Sequence, residues 1–370
     1  MKVQSGMRHE WSLWAINRIE ADFLRSSDTH LIPLQLSGFP EIDFYFKDES
    51  SHPTGSLKHR LARSLFLYSL CNGWLDEKTT IVEASSGSTA ISEAYFAQLL
   101  RLPFIAVMPK KTSPEKIAAI EFYGGKCHLV ANPAQVYSES IRLAKKLDGH
   151  YMDQFTYAER ATDWRANNNI AESIFSQMRA ETYPVPHWLV AAAGTGGTTA
   201  TLGRYVRYQR HHTRILCPDP VNSVFLDYFL TRDKKLKLSS ASRIEGIGRP
   251  RVESSFLPDI IDAMVRVSDE QTMAALRFLE VKLGRRVGGS TGTNFVGMLV
   301  AASEMVKQKE KGSIVGILCD SGERYSQSYY NDEWIKAQRL DTHSKLEEIK
   351  LWALKGVRPK VPLLKVSKDA

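Results

Sequence analysis

The sequence predicts an α/β protein built as two open, mostly parallel sheet lobes with helices on both faces. Two observations carry this reading. Short apolar runs of strand character recur along the chain, each followed by a longer helical segment, and that alternation implies parallel sheets covered on both faces. In addition, two polar turns, residues 84–89 and 194–198, follow directly on such strands, where ligands of open α/β sheets bind.

The elements follow in order. Ile42-Asp43-Phe44-Tyr45-Phe46 reads as a strand, and a helix is expected from about Ser56 through Arg63, Phe66 and Leu70. Thr80-Ile81-Val82-Glu83 is the next strand, followed by the turn Ala84–Thr89 and a helix through Leu100. Phe104–Met108 has the composition of a buried strand, Pro114 opens a helix at a favourable first-turn position, and Cys127–Val130 is again a strand. The second half repeats the rhythm. Trp188–Ala192 runs into a Gly-Thr-Gly-Gly-Thr loop, and Arg214–Cys217, Ala263–Val267 and Ile314–Leu318 are further strands. A helix is expected over Asn294–Met305, preceded by a loop at Gly288–Gly292.

Composition narrows the function classes. With 370 residues, 43% hydrophobic and 24% charged, the chain has the balance of a globular protein with room for two cores. Cys71, Cys127, Cys217 and Cys319 are widely spaced and form no CxxC pair, which argues against a disulfide framework or a metal site and for a reducing, cytoplasmic compartment. No charged-then-apolar leader opens the sequence, and no apolar run is long enough to suggest a membrane span. The net charge is +8, and residues 339–370 hold eight Lys/Arg against four Asp/Glu. Those charges are dispersed, which reads as a solvated basic tail rather than a nucleic-acid site.

Four segments carry chemistry. Gly194-Thr195-Gly196-Gly197-Thr198 stands between a strand and a helix. Its glycines let the backbone approach a phosphate, and the helix N-terminus offers N–H groups and a positive dipole end. It lacks the Gly-Lys-Ser/Thr ending of a nucleotide loop and the GxGxxG spacing of a dinucleotide site, which favours a single terminal phosphate. A loop of this kind also serves as a plain steric turn. Lys58 follows the tight polar turn His52-Pro53-Thr54-Gly55-Ser56-Leu57 and opens an apolar helix; a lysine desolvated there has a lowered pKa and can form an imine. Ser85-Ser86-Gly87-Ser88-Thr89 places four hydroxyls after a strand. One would suffice as a helix cap, and a cluster suits a small carboxylate. Gly288-Gly289-Ser290-Thr291-Gly292 offers a serine that either caps a turn or faces the ring nitrogen of a cofactor. An amine, donors for a phosphate and a hydroxyl for a ring nitrogen are together what a pyridoxal-phosphate enzyme needs.

With these segments in order, the chain resembles the fold-type II pyridoxal-phosphate enzymes of the cysteine synthase and cystathionine β-synthase family, over about residues 10–335. The resemblance implies a tryptophan synthase β-like fold, pyridoxal 5'-phosphate as cofactor and no metal. Lys58 becomes the Schiff-base lysine and catalytic residue. Ser88, Gly194, Thr195, Gly196, Gly197, Thr198 and Ser290 hold the cofactor, and Ser85, Ser86, Gly87 and Thr89 hold the substrate carboxylate. Glu245-Gly246-Ile247-Gly248 matches a cleft loop. The implied division is a smaller lobe at 48–165, a larger cofactor-binding lobe at 10–47 plus 166–335, and a basic tail at 336–370. The expected partners are a small amino-acid substrate and a second copy of the chain, with no membrane and no nucleic acid.

The departures point to one branch. Ser88 stands where the family usually has an asparagine, and His59-Arg60 replaces the usual Asp-Arg after the lysine. Arg249 and Arg251 add charge to the cleft loop, where they either hold an anion or pair with Glu253. Together with Asp320-Ser321-Gly322-Glu323-Arg324-Tyr325, these features look like the L-cysteine desulfhydrase branch. No haem-binding extension or pair of regulatory repeats is apparent. The expected reaction is β-elimination on L-cysteine giving sulfide, pyruvate and ammonia. A cysteine synthase that replaces the β-substituent of O-acetylserine, and a catalytically silent scaffold, remain alternatives.

Overall fold

The computed structural model describes residues 2–165 and 169–359. Along the chain lie α1 (Lys2–Leu24), β1 (His30–Leu34), β2 (Ile42–Asp48), α2 (Lys58–Cys71), β3 (Ile81–Ala84), α3 (Ser88–Leu100), β4 (Phe104–Pro109), α4 (Pro114–Glu121), β5 (Lys126–Val130), α5 (Val136–Lys146), β6 (His150–Tyr151), α6 (Gln154–Ala161) and α7 (Ile170–Met178). They continue with β7 (Trp188–Val190), α8 (Gly197–Tyr208), β8 (Arg214–Pro220), α9 (Phe225–Thr231), β9 (Ala263–Val267), α10 (Asp269–Leu283), α11 (Gly289–Lys307), β10 (Gly312–Leu318), α12 (Asp332–Ala337) and α13 (Thr342–Lys355). The mixed α/β class and its two parallel-rich sheets agree with the sequence reading.

The elements fall into two compact units. The first holds residues up to Asp28 together with His52–Asp163; the second holds Thr29–Ser51 and the chain from Trp164 onward. The first unit is built on a four-stranded parallel sheet in the order β5-β4-β3-β6. Its helices supply the apolar faces, with Leu65, Phe66, Ala94, Phe96 and Ala97 meeting Ile81, Phe104 and Ala106 in one core. The sequence reading placed residues 10–28 with the larger lobe, and the structure places them here. Ala15 and Ile19 of α1 are fully buried in this core, Arg63 pairs with Glu20 at 3.1 Å, and the Tyr95 hydroxyl donates to Asp22 at 2.9 Å.

The second unit is built on a six-stranded sheet in the order β1-β2-β10-β7-β8-β9, parallel except for β1 against β2. Every residue of β10 is buried, as expected for a central strand covered on both faces. The segment read as the start of a basic tail is folded. On α13, Ile349, Trp352 and Ala353 join the core, and the Trp352 Nε1–H donates to Ser303 Oγ at 2.7 Å. The remainder of that expected tail, 360–370, lies outside the described residues. No helix among the described residues is long and apolar enough to cross a membrane.

Candidate active site

In the first unit, the tight turn before Lys58 closes with Gly55 N–H donating to His52 O at 2.7 Å, and α2 begins at Lys58 itself rather than at Ser56. The turn is anchored from beneath. Thr54, nearly fully buried, shares hydrogen bonds with His59 Nδ1 at 3.1 Å and with Ser92 Oγ on α3 at 2.8 Å. His59 stacks on His52 at 5.1 Å and packs against Phe96 at 4.8 Å. The histidine that follows the lysine is therefore a joint that fixes the turn to α3. It holds Lys58, half-buried, at a defined place on the helix start.

The hydroxyl cluster is divided by the start of α3. The turn ends at Gly87, the N-cap, so Ser88 and Thr89 stand in the first helical turn, where N–H groups have no intrahelical acceptor. Ser85 Oγ accepts from Gly87 N–H at 3.3 Å, and Ser85, Ser86, Gly87 and Ser88 are half-buried. Thr89 differs from them: it is buried, and its hydroxyl donates to Gln154 Oε1 at 2.8 Å, which gives it a structural task. Behind the cluster lie two carboxyls. Glu83 Oε1 accepts from Ala84 N–H at 2.6 Å and Oε2 from Gln154 N–H at 3.1 Å. Glu93 on α3 is fully buried, and neither of its oxygens meets a donor.

In the second unit, β7 ends at Val190, two residues earlier than the sequence suggests, and the chain runs through Ala191–Ala193 into the glycine loop. Gly194 packs so closely on the Gly246 carbonyl that no side chain fits. Gly196 has φ +90, and a Cβ there would lie 2.6 Å from Ser255 O. The Ser255 hydroxyl, fully buried, donates to the Thr195 carbonyl, and Gly197 N–H donates to Thr195 Oγ1 at 3.3 Å. Gly197 and Thr198 open α8. The result is a backbone cradle at a helix N-terminus with its shape fixed from behind, which fits a phosphate.

Ser290 lies in the first turn of α11, not in a loop before it. Glycines delay a helix in a pattern-based reading, but Gly289–Ser303 is buried throughout, and tertiary packing overrides that propensity. Three contacts fix this helix start. Cys319 N–H donates to Thr291 Oγ1 at 3.1 Å, Asn294 Oδ1 accepts from Ala192 N–H at 2.7 Å, and Asn294 Nδ2 donates to Ile317 O at 2.8 Å. Asn294 thus ties the approach to the glycine loop to the end of β10. Sequence reasoning missed it, although a lone amide within an apolar helix was a signal, because a buried amide needs partners. Asp320 packs over Gly288, accepts from the Tyr325 hydroxyl at 2.7 Å through Oδ2, and leaves Oδ1 without a partner. Burial pushes its carboxyl up to about 6. Arg249 and Arg251 both pair with the buried Glu253, at 3.0 and 3.2 Å.

The comparisons with known proteins agree with this inventory. The family described as "Pyridoxal-phosphate dependent enzyme" matches residues 24–320. The chain is 59% identical over 339 residues to the L-cysteine desulfhydrase Cds1 of Mycobacterium tuberculosis, covering 90% of this chain and 92% of that protein. It is 28% identical to cysteine synthase 1 of Neurospora crassa, over 80% of this chain and 78% of that one. Among solved structures, a hydrogen sulfide-producing enzyme complexed with an α-aminoacrylate intermediate superposes with a TM-score of 0.73 at 25% identity, covering 84% of this chain and 91% of that one. O-ureido-L-serine synthase superposes with a TM-score of 0.71 at 26% identity, covering 83% and 96%. The chain belongs to the pyridoxal-phosphate-dependent enzymes.

Proposed function

We propose that this protein is a carbon–sulfur lyase that converts L-cysteine and water to sulfide, pyruvate and ammonia by β-elimination. The observation that carries this reading is the 59% identity to an L-cysteine desulfhydrase across 90% of the chain. When bound, pyridoxal phosphate supplies an aldehyde for the substrate amine and a ring that draws electrons from the α-carbon.

The residues present fit that group. The Gly194–Thr198 cradle, with its N–H groups at the start of α8, would hold the phosphate. Lys58 would hold the aldehyde carbon, and Ser290 would face the ring nitrogen. A neutral hydroxyl does not keep that nitrogen protonated as an aspartate would. Ser290 would thus leave the nitrogen unprotonated, a setting that would suit loss of a β-substituent. Ser85, Ser86 and Gly87, with the N–H groups of the first turn of α3, would bind the substrate carboxylate. Once displaced by the substrate amine, Lys58 Nζ would take the α-proton, and the β-sulfur would leave as sulfide. Ser88, shorter than the asparagine usual in the family, would place no amide beside the cofactor and would leave room for water. Arg249 and Arg251 both pair with Glu253, which offsets one of their two positive charges.

The test is product analysis on the cofactor-loaded enzyme. Cysteine alone should yield sulfide and pyruvate in equal amounts. If cysteine alone gives no pyruvate while O-acetylserine plus sulfide gives rapid cysteine formation, the protein is a synthase and the lyase reading fails.

A further inference from the structure

In the second unit, the cleft-loop segment 243–248 touches both parts of the proposed cofactor site. At one end it meets the glycine loop: the Gly246 carbonyl packs on Gly194, and Gly248 N–H donates to Ala193 O at 2.8 Å. At the other end Ile244 packs on Gly289, at the start of α11. Tyr329, nearly fully buried in the turn before α12, joins these contacts. Its hydroxyl accepts from Glu245 N–H at 2.8 Å and donates to Arg243 O at 2.9 Å, so one phenol bonds the backbone on both sides of Ile244. Its ring packs on Gly289, where a Cβ would lie 2.7 Å from Tyr329 Cε2 and 3.1 Å from Ile244 Cγ2. The ring is itself held. Tyr325 stacks on it at 4.8 Å with the planes 12° apart, and the Tyr325 hydroxyl donates to Asp320, whose carbonyl accepts from Gly288 N–H at 3.0 Å.

The phosphate and the ring nitrogen of pyridoxal phosphate belong to one small, stiff molecule. Two subsites that each bind part of such a molecule reinforce one another only when their spacing matches it. We infer that Tyr329 is a positioning residue for the cofactor: by bonding segment 243–248 and packing on Gly289, it holds the glycine loop at a fixed spacing from the helix start that carries Ser290. A phenylalanine there would keep the ring contacts and take away the partner of Glu245 N–H and of Arg243 O. Asn294 is a second tie, from Ala192 to α11, but it reaches the chain two residues before the glycine loop. Tyr329 acts through Gly246 on Gly194 itself. This inference rests on the reading of 194–198 as the phosphate site and of Ser290 as the partner of the ring nitrogen.

The experiment uses the full-length chain freed of cofactor, with two probes. Pyridoxine 5'-phosphate carries the ring and the phosphate but no aldehyde, so no lysine can link to it. Inorganic phosphate reports on the glycine loop alone. The Kd of the first is measured by calorimetry, and that of the second by its competition with the first. Tyr329→Phe should weaken pyridoxine phosphate by about tenfold and change the phosphate constant by less than about twofold, because only the linked probe senses the spacing. A role confined to stability would leave both constants unchanged below the Tm, and a role confined to the shape of the glycine loop would weaken both alike; either outcome overturns the proposal. If Tyr329→Phe does not fold, Ile244→Ala removes the segment's own contact with Gly289 and should show the same split, and equal changes in both constants would again overturn it. The underlying reading fails separately. If inorganic phosphate does not displace pyridoxine phosphate from the unaltered protein, 194–198 is not the phosphate site, whatever Tyr329→Phe does.

Discussion

Gly196→Ala tests the proposed phosphate cradle through its backbone. At φ +90, a residue with a Cβ costs about 1–2 kcal/mol more than glycine. The added methyl would lie 2.6 Å from Ser255 O and 2.7 Å from Phe256 Cα, both backbone atoms that cannot rotate away. Relieving such an overlap costs a further ~1–3 kcal/mol. The total, about 2–5 kcal/mol, is shared between global stability and the loop's geometry. Gly124→Ala provides the control. Its φ is +76 with open space around the would-be Cβ, so it carries the conformational cost without the collision. The assay is thermal unfolding of the cofactor-free protein together with equilibrium titration of pyridoxal phosphate. Gly124→Ala should lower Tm by a few degrees, at about 2–4 °C per kcal/mol for a unit of this size, and leave cofactor affinity alone. Gly196→Ala should lower Tm further and weaken cofactor binding by about tenfold or more for each 1.4 kcal/mol expressed in the loop. A Gly196→Ala variant with native affinity and the same Tm as Gly124→Ala would mean that the loop is not held from behind and that its glycines are incidental.

Three further outcomes are expected. Asn294→Ala leaves the Ala192 N–H without its acceptor, at about 1–3 kcal/mol, and removes one of the donors to the Ile317 carbonyl, so the urea midpoint should fall with an unchanged m-value. Ser290→Asp should shift the absorbance of the bound cofactor and slow elimination by about tenfold for each unit by which the anion raises the ring nitrogen. Ser290→Ala should act more mildly, and equal, negligible effects from both would remove Ser290 from the site. His150, tilted against Trp74 at 5.3 Å and pushed down to about 4 by burial, binds its proton more readily in the unfolded chain, whose value is 6.5. Its contribution is therefore complete above pH 6.5 and is lost as pH falls toward 4, by about 3 kcal/mol, and His150→Asn should flatten that part of the stability profile.

What could be read from the sequence was whatever is local. The strand cores at Ile81, Phe104, Ala263 and Ile314 carry their own periodicity, and the residues beside Lys58 and within 194–198 form turns whose chemistry is visible in five or six letters. The start of α11 was misplaced because Gly288, Gly289 and Gly292 look like a loop until β10 is packed beside them. The placement of residues 10–28 was missed for a related reason: the burial of Ala15 and Ile19 depends on α2 and α3, which begin only at Lys58 and Ser88. Trp352 gave a similar warning, since a tryptophan within a stretch of dispersed charge has more surface to bury than a solvated tail can cover.

The carboxyls show where such reading stops. In Ile91-Ser92-Glu93-Ala94-Tyr95-Phe96, a glutamate on a helix would by default face water. Yet Ser92 is committed to Thr54 and Phe96, one turn on along the same flank of Glu93, to His59 and Phe66, while Ala90, Ala94 and Ala97 on the opposite flank are buried, so both sides of α3 beside Glu93 are turned inward. Thr89 and Glu93 therefore share the remaining inward stripe, where Gln154 receives the Thr89 hydroxyl and the Glu93 carboxyl meets no donor. Each of these residues is unremarkable alone. Their joint consequence is that the helix presenting the hydroxyl cluster also carries, one turn further in, a fully buried glutamate that meets no donor.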